Sequence, residues 1–221
     1  MLDVHVSELV EHHKELMIPY WRVKRRVAEM AREYVVEQSG DGEDALFLTI
    51  LCGGASFAEM FLTEVAKLGY GEYSSKDNIG LSSYSNGDSS NRQPEIIQPL
   101  KNPEAVAGRK VVILEDIKDT GISLEKVISE LTKLGATSIE VIALLAKPEA
   151  AEVQLSVPSR YGFEIPKEFV VGDGIDWAEK YRVLLGVWRI VKHENGVTGD
   201  ERSWGQRIWE RVNVWVDRKF T

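Results

Sequence analysis

The sequence predicts an α/β domain built on a largely parallel, twisted sheet flanked by helices. Two observations carry this. Short apolar runs, ALFLTIL from Ala45, KVVIL from Lys110 and SIEVIALL from Ser138, each close on turn chemistry. Helix-length amphipathic segments alternate with them, and parallel neighbours need such long crossovers. At 221 residues, with 43% hydrophobic side chains, the chain suits one decorated domain rather than two full ones.

From Val6 to Val36 the pattern is helical and broken at Pro19, with Ile18, Trp21, Val27, Met30, Ala31 and Tyr34 along one apolar face. QSGDGED gives a polar turn, Ala45–Leu51 a buried strand, Gly53-Gly54 a tight turn and Ser56–Leu68 a helix. Gly69 to Pro103 is rich in Ser, Gly and Asn, which reads as a mobile functional loop or a hairpin with a flexible tip. Lys110–Leu114 is a strand, Ser123–Leu134 a helix, Ser138–Leu145 a strand and Phe169–Val171 a shorter one. In the extension 192–221, Trp204, Ile208, Val212, Trp215 and Val216 align on one helical face, suited to packing on its own domain or covering a subunit interface. His5, His12 and His13 fall in the N-terminal helical pattern on different faces, so no metal role is assigned to them.

The net charge of -8 argues against a nucleic-acid partner held on a broad basic surface, while leaving room for a local anion site. A single cysteine, Cys52, has no internal disulfide partner, which points to a reducing, cytoplasmic setting. The N-terminus lacks the order of a signal peptide, and no apolar run approaches membrane-spanning length, so no membrane partner is expected.

The stretch VVILEDIKDTGIS, Val111 to Ser123, carries the chemistry. An apolar strand ends in three carboxylates and passes through Asp119-Thr120-Gly121-Ile122-Ser123 into a helix. Open α/β sheets keep their ligands at this carboxyl end. N–H groups at a helix start lack intrahelical partners, the dipole favours an anion, Gly121 permits close approach, and two hydroxyls add donors. The turn is a phosphate cradle, though not a Walker loop, because no Gly-Lys-Ser/Thr follows. Glu115 and Asp116 would repel a phosphate directly, so they suit sugar hydroxyls or a divalent cation. A phosphorylated sugar with free hydroxyls fits both halves.

The segment EDIKDTGIS resembles the phosphoribosyl-pyrophosphate motif of type I phosphoribosyltransferases. IPYWRVKRRVAEMA, LTILCGGASFAEMF, LSSYSNGDSS, IALLAKPE and YGFEIPKEFVVGDGIDWAEKYR narrow the resemblance to the hypoxanthine-guanine branch, over roughly Ile18 to Val191. It implies the type I fold in residues 1–191, with a mobile lid hairpin at about 69–103 and a small hood from the N-terminal and 152–191 segments. It also implies transfer of a 5-phosphoribosyl group from phosphoribosyl pyrophosphate to N9 of hypoxanthine, guanine or xanthine, with Mg²⁺ as cofactor, in a homodimer or homotetramer.

Carried over residue by residue, the resemblance makes Asp119 the general acid/base near purine N7. Glu115 and Asp116 hold the ribose hydroxyls and, with Asp176, the metal; Thr120, Gly121 and Ser123 join Asp119 in binding the ribose phosphate. Cys52, Gly53 and Arg182 fall at pyrophosphate positions, and Ser83 and Tyr84 on the lid. Lys147, Phe169, Val170 and Asp176 fall around the purine. Independently of the family, an ammonium at Lys147 suits a 6-oxo acceptor and finds none on adenine's amino group. Two positions depart from the pattern. Cys52 stands where the family commonly has Lys or Arg, and Asp173 where relatives often carry an aromatic or aliphatic residue. These departures, with the extension, support an alternative, a non-catalytic relative that binds phosphoribosyl pyrophosphate or nucleotide as a regulatory signal.

Overall fold

A computed structural model describes residues 13–38, 45–71, 74–82, 94–177 and 180–191. The chain divides into two compact units, Met1–Ile190 and Val191–Thr221; the amphipathic face expected at 204–216 lies outside the described residues, as do Ser83, Tyr84, His5 and His12.

The central element is a six-stranded sheet in the order β4-β3-β2-β5-β6-β7. It comprises β2 (Leu46–Leu51), β3 (Ser75–Ser82), β4 (Glu95–Gln98), β5 (Lys110–Lys118), β6 (Ser138–Ala146) and β7 (Ser159–Glu164). All neighbours are parallel except β4 on the edge, which returns antiparallel to β3. Helices α1 (Tyr20–Gln38) and α2 (Gly54–Lys67) pack on one face, and α3 (Ile122–Lys133) on the other. The central strands read as continuous apolar runs because both of their faces are covered. Val112 and Leu114 pack with α1 and α2, while Val111 and Ile113 pack with Leu124, Val127 and Leu131 of α3.

A second, three-stranded sheet has the order β1-β9-β8, formed by β1 (His13–Ile18), β8 (Val170–Val171) and β9 (Val187–Val191). It corrects the expected helix before Pro19. Leu16 is exposed and Ile18 is buried, whereas Met17 is half-buried and packed on the core, so the short apolar run pairs as a strand edge. Pro19 then ends that strand, and its carbonyl accepts the N–H groups of Arg22 and Val23 at the start of α1. Two strands have no counterpart in the sequence reading. SRYGFE is half-buried and interrupted by Gly162, and VWRIV lacks strict alternation. Of the segment 152–191 expected in the hood, Ser159–Glu164 instead pairs with β6 as the edge of the main sheet.

Candidate active site

Strand β5 continues past the apolar run through Glu115 and Asp116 to Lys118, which carries the acidic pair into the protein at the sheet's carboxyl end. Both carboxylates are buried, and Glu115 accepts the Asp116 N–H at 3.0 Å while Asp116 accepts the Ile117 N–H at 2.7 Å. Burial pushes the Glu115 carboxyl well above the usual range, and the adjacent Asp116 charge adds to the shift. Burial also raises Asp116, opposed by hydrogen bonds from Glu115 and the Ile117 N–H and by the charge of Arg182. Ionised forms here gain from any cation or hydroxyl donor that arrives.

After Lys118 the chain turns through Asp119 and Thr120 into Gly121, whose φ of +89° is a left-handed conformation at the N-cap of α3. Gly121 has no side chain to cap the helix, and the Thr120 hydroxyl accepts the Ile122 N–H at a long 3.4 Å. The Thr120 carbonyl accepts the N–H groups of Glu152 and Val153 at 2.9 and 3.0 Å, which fixes the turn from behind. A Cβ on Gly121 would lie 2.8 Å from the Val153 carbonyl oxygen, so glycine is required by space as well as by dihedral angle. Ser123 is half-buried in the first helical turn.

Strand β6 ends beside β5, and the Lys147 N–H donates to the Lys118 carbonyl at 2.9 Å. That contact aligns two side chains 28 positions apart, and Lys147 Nζ lies 2.8 Å from Asp119 Oδ2. The lysine side chain is 10% exposed and the aspartate 48% exposed, so the pair spans from the interior to the mouth of the site.

The loop between β2 and α2 approaches the acidic pair. The Leu51–Cys52 peptide is cis, and Cys52 is exposed. A Cβ on Gly53 would stand 1.8 Å from Asp116 Oδ2, and one on Gly54 3.0 Å from the Leu114 carbonyl oxygen. The glycine pair therefore lets backbone lie directly on the β5 end.

The segment after β7 closes the other side. Phe169 is exposed with its ring 5.9 Å from that of Trp177, and its carbonyl accepts the Ile190 N–H, while Val170 pairs with Arg189 in the small sheet. Arg182 Nη2 sits 2.8 Å from Asp176 Oδ1, and Arg182 Nη1 donates to the Gly174 carbonyl at 2.8 Å. The structure thus brings Glu115, Asp116 and Gly53 together, Asp119 with Lys147, and Asp176 with Arg182. Ser83 and Tyr84 fall outside the described residues.

Gly174 and Asp77 were missed by sequence reasoning, and Asp173 was noted only as a departure from the family pattern. Gly174, with φ +102°, presses on the Cys52–Gly53 loop, where its Cβ would lie 2.5 Å from the Gly53 carbonyl oxygen. The GDG triplet was the available signal. Asp173 is buried and accepts the Gly186 N–H at 3.2 Å, with burial raising its pKa to about 6. Asp77 in β3 is buried and accepts N–H groups from Lys101 and Asn102, fastening the return of the hairpin. A lone strand aspartate gave no warning of that. A cavity of about 460 Å³ lies between α1, α2 and residues 182–185, lined by Asp173 and Arg182 but by neither Asp119 nor Lys147.

The buried Glu115–Asp116 pair, the glycine turn into α3 and the Lys147–Asp119 pair all lie at the carboxyl end of a parallel sheet, where the sequence leads one to expect the site of a phosphoribosyl-transferring class. The phosphoribosyl transferase domain model matches residues 21–178, and the chain belongs to that family. It is 35% identical over 184 residues to a hypoxanthine phosphoribosyltransferase of Escherichia coli K12, covering 82% of this chain and 98% of that one. It is 31% identical over 175 residues to a hypoxanthine-guanine phosphoribosyltransferase of Mycobacterium avium, covering 77% and 82%. Among solved structures, a hypoxanthine-guanine phosphoribosyltransferase of Bacillus anthracis superposes with a TM-score of 0.70 at 28% identity, covering 82% of this chain and all of that one. A hypoxanthine phosphoribosyltransferase of Staphylococcus aureus gives 0.71 at 25% identity, covering 86% and 97%.

Proposed function

We propose that this protein transfers the 5-phosphoribosyl group of phosphoribosyl pyrophosphate to N9 of a 6-oxopurine, giving IMP or GMP and pyrophosphate in purine salvage. The observation that carries the reading is the 2.8 Å Lys147–Asp119 pair at the rim of the β5–α3 turn, in a chain of this family. The C1–O bond to pyrophosphate breaks, the C1–N9 bond forms, and the purine's proton leaves to a base. The developing charge is oxocarbenium-like, so positioning and charge stabilisation dominate.

In this account the N–H groups of the 120–123 turn and the hydroxyls of Thr120 and Ser123 hold the 5'-phosphate, and Glu115 and Asp116 accept hydrogen bonds from the ribose hydroxyls. Asp119 takes the proton from the imidazole edge of the base. Lys147 releases part of its bond to Asp119 and donates to O6, which favours 6-oxopurines over adenine. Phe169 offers its exposed ring to the base, Val170 its backbone, and Asp176 lies toward the 2-position. Arg182 and the Cys52–Gly53 loop meet the pyrophosphate, and Ser83 and Tyr84 close over it.

Mg²⁺ fits this set as a substrate-borne ion. No cluster of three or more His, Cys, Asp or Glu side chains gathers among the described residues, and Mg²⁺ bound mainly through phosphates and water needs only one or two carboxylates. Glu115, Asp116 and Asp176 would supply them, and burial that opposes ionisation of the first two makes a cation favourable there. Bound there, Mg²⁺ supplies charge neutralisation to the departing pyrophosphate. A cytoplasmic homodimer or homotetramer belongs to the same reading, supported by the exposed apolar side chains Val183 and Leu185 that line the cavity and by exposed Trp21 on α1.

Incubation with phosphoribosyl pyrophosphate, Mg²⁺ and hypoxanthine, followed by product analysis, tests the proposal. IMP and pyrophosphate in equal amounts are expected. Calorimetric binding of phosphoribosyl pyrophosphate with no product from hypoxanthine or guanine would establish the regulatory alternative instead.

A further inference from the structure

We propose that Asp173 is a positioning residue for the pyrophosphate end of the site, an inference that rests on the function proposed above. Its surroundings form a continuous chain of contacts. Gly186 is wedged at the junction of β1 and α1, where a Cβ would lie 2.7 Å from the Ile18 carbonyl oxygen and 3.1 Å from the Tyr20 nitrogen. The Gly186 N–H donates to Asp173 Oδ2 at 3.2 Å, and the Asp173 N–H donates to the Leu184 carbonyl at 2.8 Å. The next residue, Gly174, donates its N–H to the Arg182 carbonyl at 3.0 Å and accepts from the Arg182 guanidinium at 2.8 Å. Gly174 also backs the Gly53 carbonyl, and Arg182 reaches Asp176.

Asp173 thereby joins a point fixed on the scaffold to the two groups that would meet pyrophosphate. Two further observations mark the position. Asp173 has φ +47°, a left-handed conformation uncommon outside glycine, between two glycines at φ +102°. The residue is also 4% exposed, and burial disfavours its ionised carboxylate. Asp is one of the few residue types that tolerate this backbone, and here its carboxylate supplies the acceptor for the Gly186 N–H. An apolar side chain could fill the space but would leave the Gly186 N–H unanswered.

The test compares Asp173→Gly, which removes the carboxyl while suiting the left-handed backbone, with Asp173→Asn, which keeps an acceptor oxygen. Pyrophosphate binding with Mg²⁺ is read by calorimetry, and KM for phosphoribosyl pyrophosphate and for hypoxanthine by steady-state kinetics. Asp173→Gly is expected to weaken pyrophosphate and raise KM for phosphoribosyl pyrophosphate about tenfold, while KM for hypoxanthine stays within about twofold. Asp173→Asn is expected to restore most of the loss. Because Asp173 acts through Arg182, Asp173→Gly in an Arg182→Ala background should weaken pyrophosphate by much less than tenfold.

Unchanged pyrophosphate affinity in Asp173→Gly overturns the inference. So does a parallel loss of affinity for both substrates together with a lowered Tm, which marks a purely structural residue. If the wild-type protein binds pyrophosphate but makes no nucleotide, the functional proposal fails while Asp173 is still judged by pyrophosphate binding.

Discussion

Lys147 Nζ and Asp119 Oδ2 lie 2.8 Å apart at the adjoining ends of β6 and β5. Two side chains assigned to different parts of a purine therefore satisfy each other before the base arrives. In the proposed mechanism, exchange of the lysine from carboxylate to O6 would couple recognition of the 6-oxo group to release of the carboxylate for proton transfer. Asp119→Asn keeps a partner for Lys147 but removes the base. Its kcat with hypoxanthine should fall about 10²-fold or more, with calorimetric affinity for phosphoribosyl pyrophosphate little changed. Unchanged turnover would remove Asp119 from the proton-transfer role.

Gly53 is a position where one methyl group meets the acidic pair. Its backbone is α-helical in φ and ψ, so alanine is conformationally allowed, and the conflict is with Asp116 Oδ2 at 1.8 Å from the new Cβ. Gly53→Ala should cost about 1–3 kcal/mol of stability in a denaturant titration and sharply weaken phosphoribosyl pyrophosphate. Gly69→Ala is a useful contrast: it meets nothing within 4 Å but has φ +74°, so it should lose stability through backbone strain without losing substrate affinity.

Cys52 is exposed in the β2–α2 loop proposed to meet pyrophosphate, and the proposed chemistry has no use for a nucleophile. Cys52→Ser should leave kcat with hypoxanthine within about twofold of wild type. Alkylation of the thiol should be slowed by phosphoribosyl pyrophosphate with Mg²⁺. Equal alkylation rates with and without substrate, read by mass spectrometry, would place the pyrophosphate elsewhere.

The buried carboxyl of Asp173 makes stability depend on pH with a definite sign. Its pKa rises from an ordinary 3.8 to about 6 on folding, so between those values the folded state holds more protons than the unfolded state. Its contribution to stability is greatest below about 4, diminishes as pH rises, and is lost above about 6. Lys24, Tyr20, Glu59, Glu64 and Arg182 line the same cavity, and Glu115 and Asp116 also titrate upward. The difference between wild type and Asp173→Asn therefore isolates the group. Urea titrations should show wild type losing roughly 2 kcal/mol relative to Asp173→Asn between pH 4 and pH 6.5. A difference that is flat, or that grows in favour of wild type with rising pH, would contradict the assignment.

Much of the core was legible because VVIL and VIALL are buried on both faces, which a continuous apolar run reports directly. The β5–α3 turn was legible because an apolar run that breaks at Asp-Thr-Gly ahead of a helical pattern marks a strand end and a helix start. The half-buried strand β7 was not, since SRYGFE carries Arg160, whose guanidinium bonds Glu37 and Glu140, and so looks like surface. His13–Ile18 misled for a related reason: its apolar residues fit a helix period, and only pairing in the small sheet makes it a strand. At the site, the residue types were readable but their pairings were not. Nothing in the spacing of Lys147 and Asp119, or of Asp173 and Gly186, reveals that they touch, because both contacts depend on how distant segments meet.

The most direct measurement is kcat/KM for hypoxanthine, guanine, xanthine and adenine, each with phosphoribosyl pyrophosphate and Mg²⁺, in wild type and Lys147→Met. Wild type should use at least one 6-oxopurine about 10²-fold or more better than adenine, and Lys147→Met should lose most of that preference by losing the 6-oxopurine. Comparable turnover of adenine by wild type, or a preference that survives in Lys147→Met, would contradict the account of Lys147 as the group that reads the 6-position.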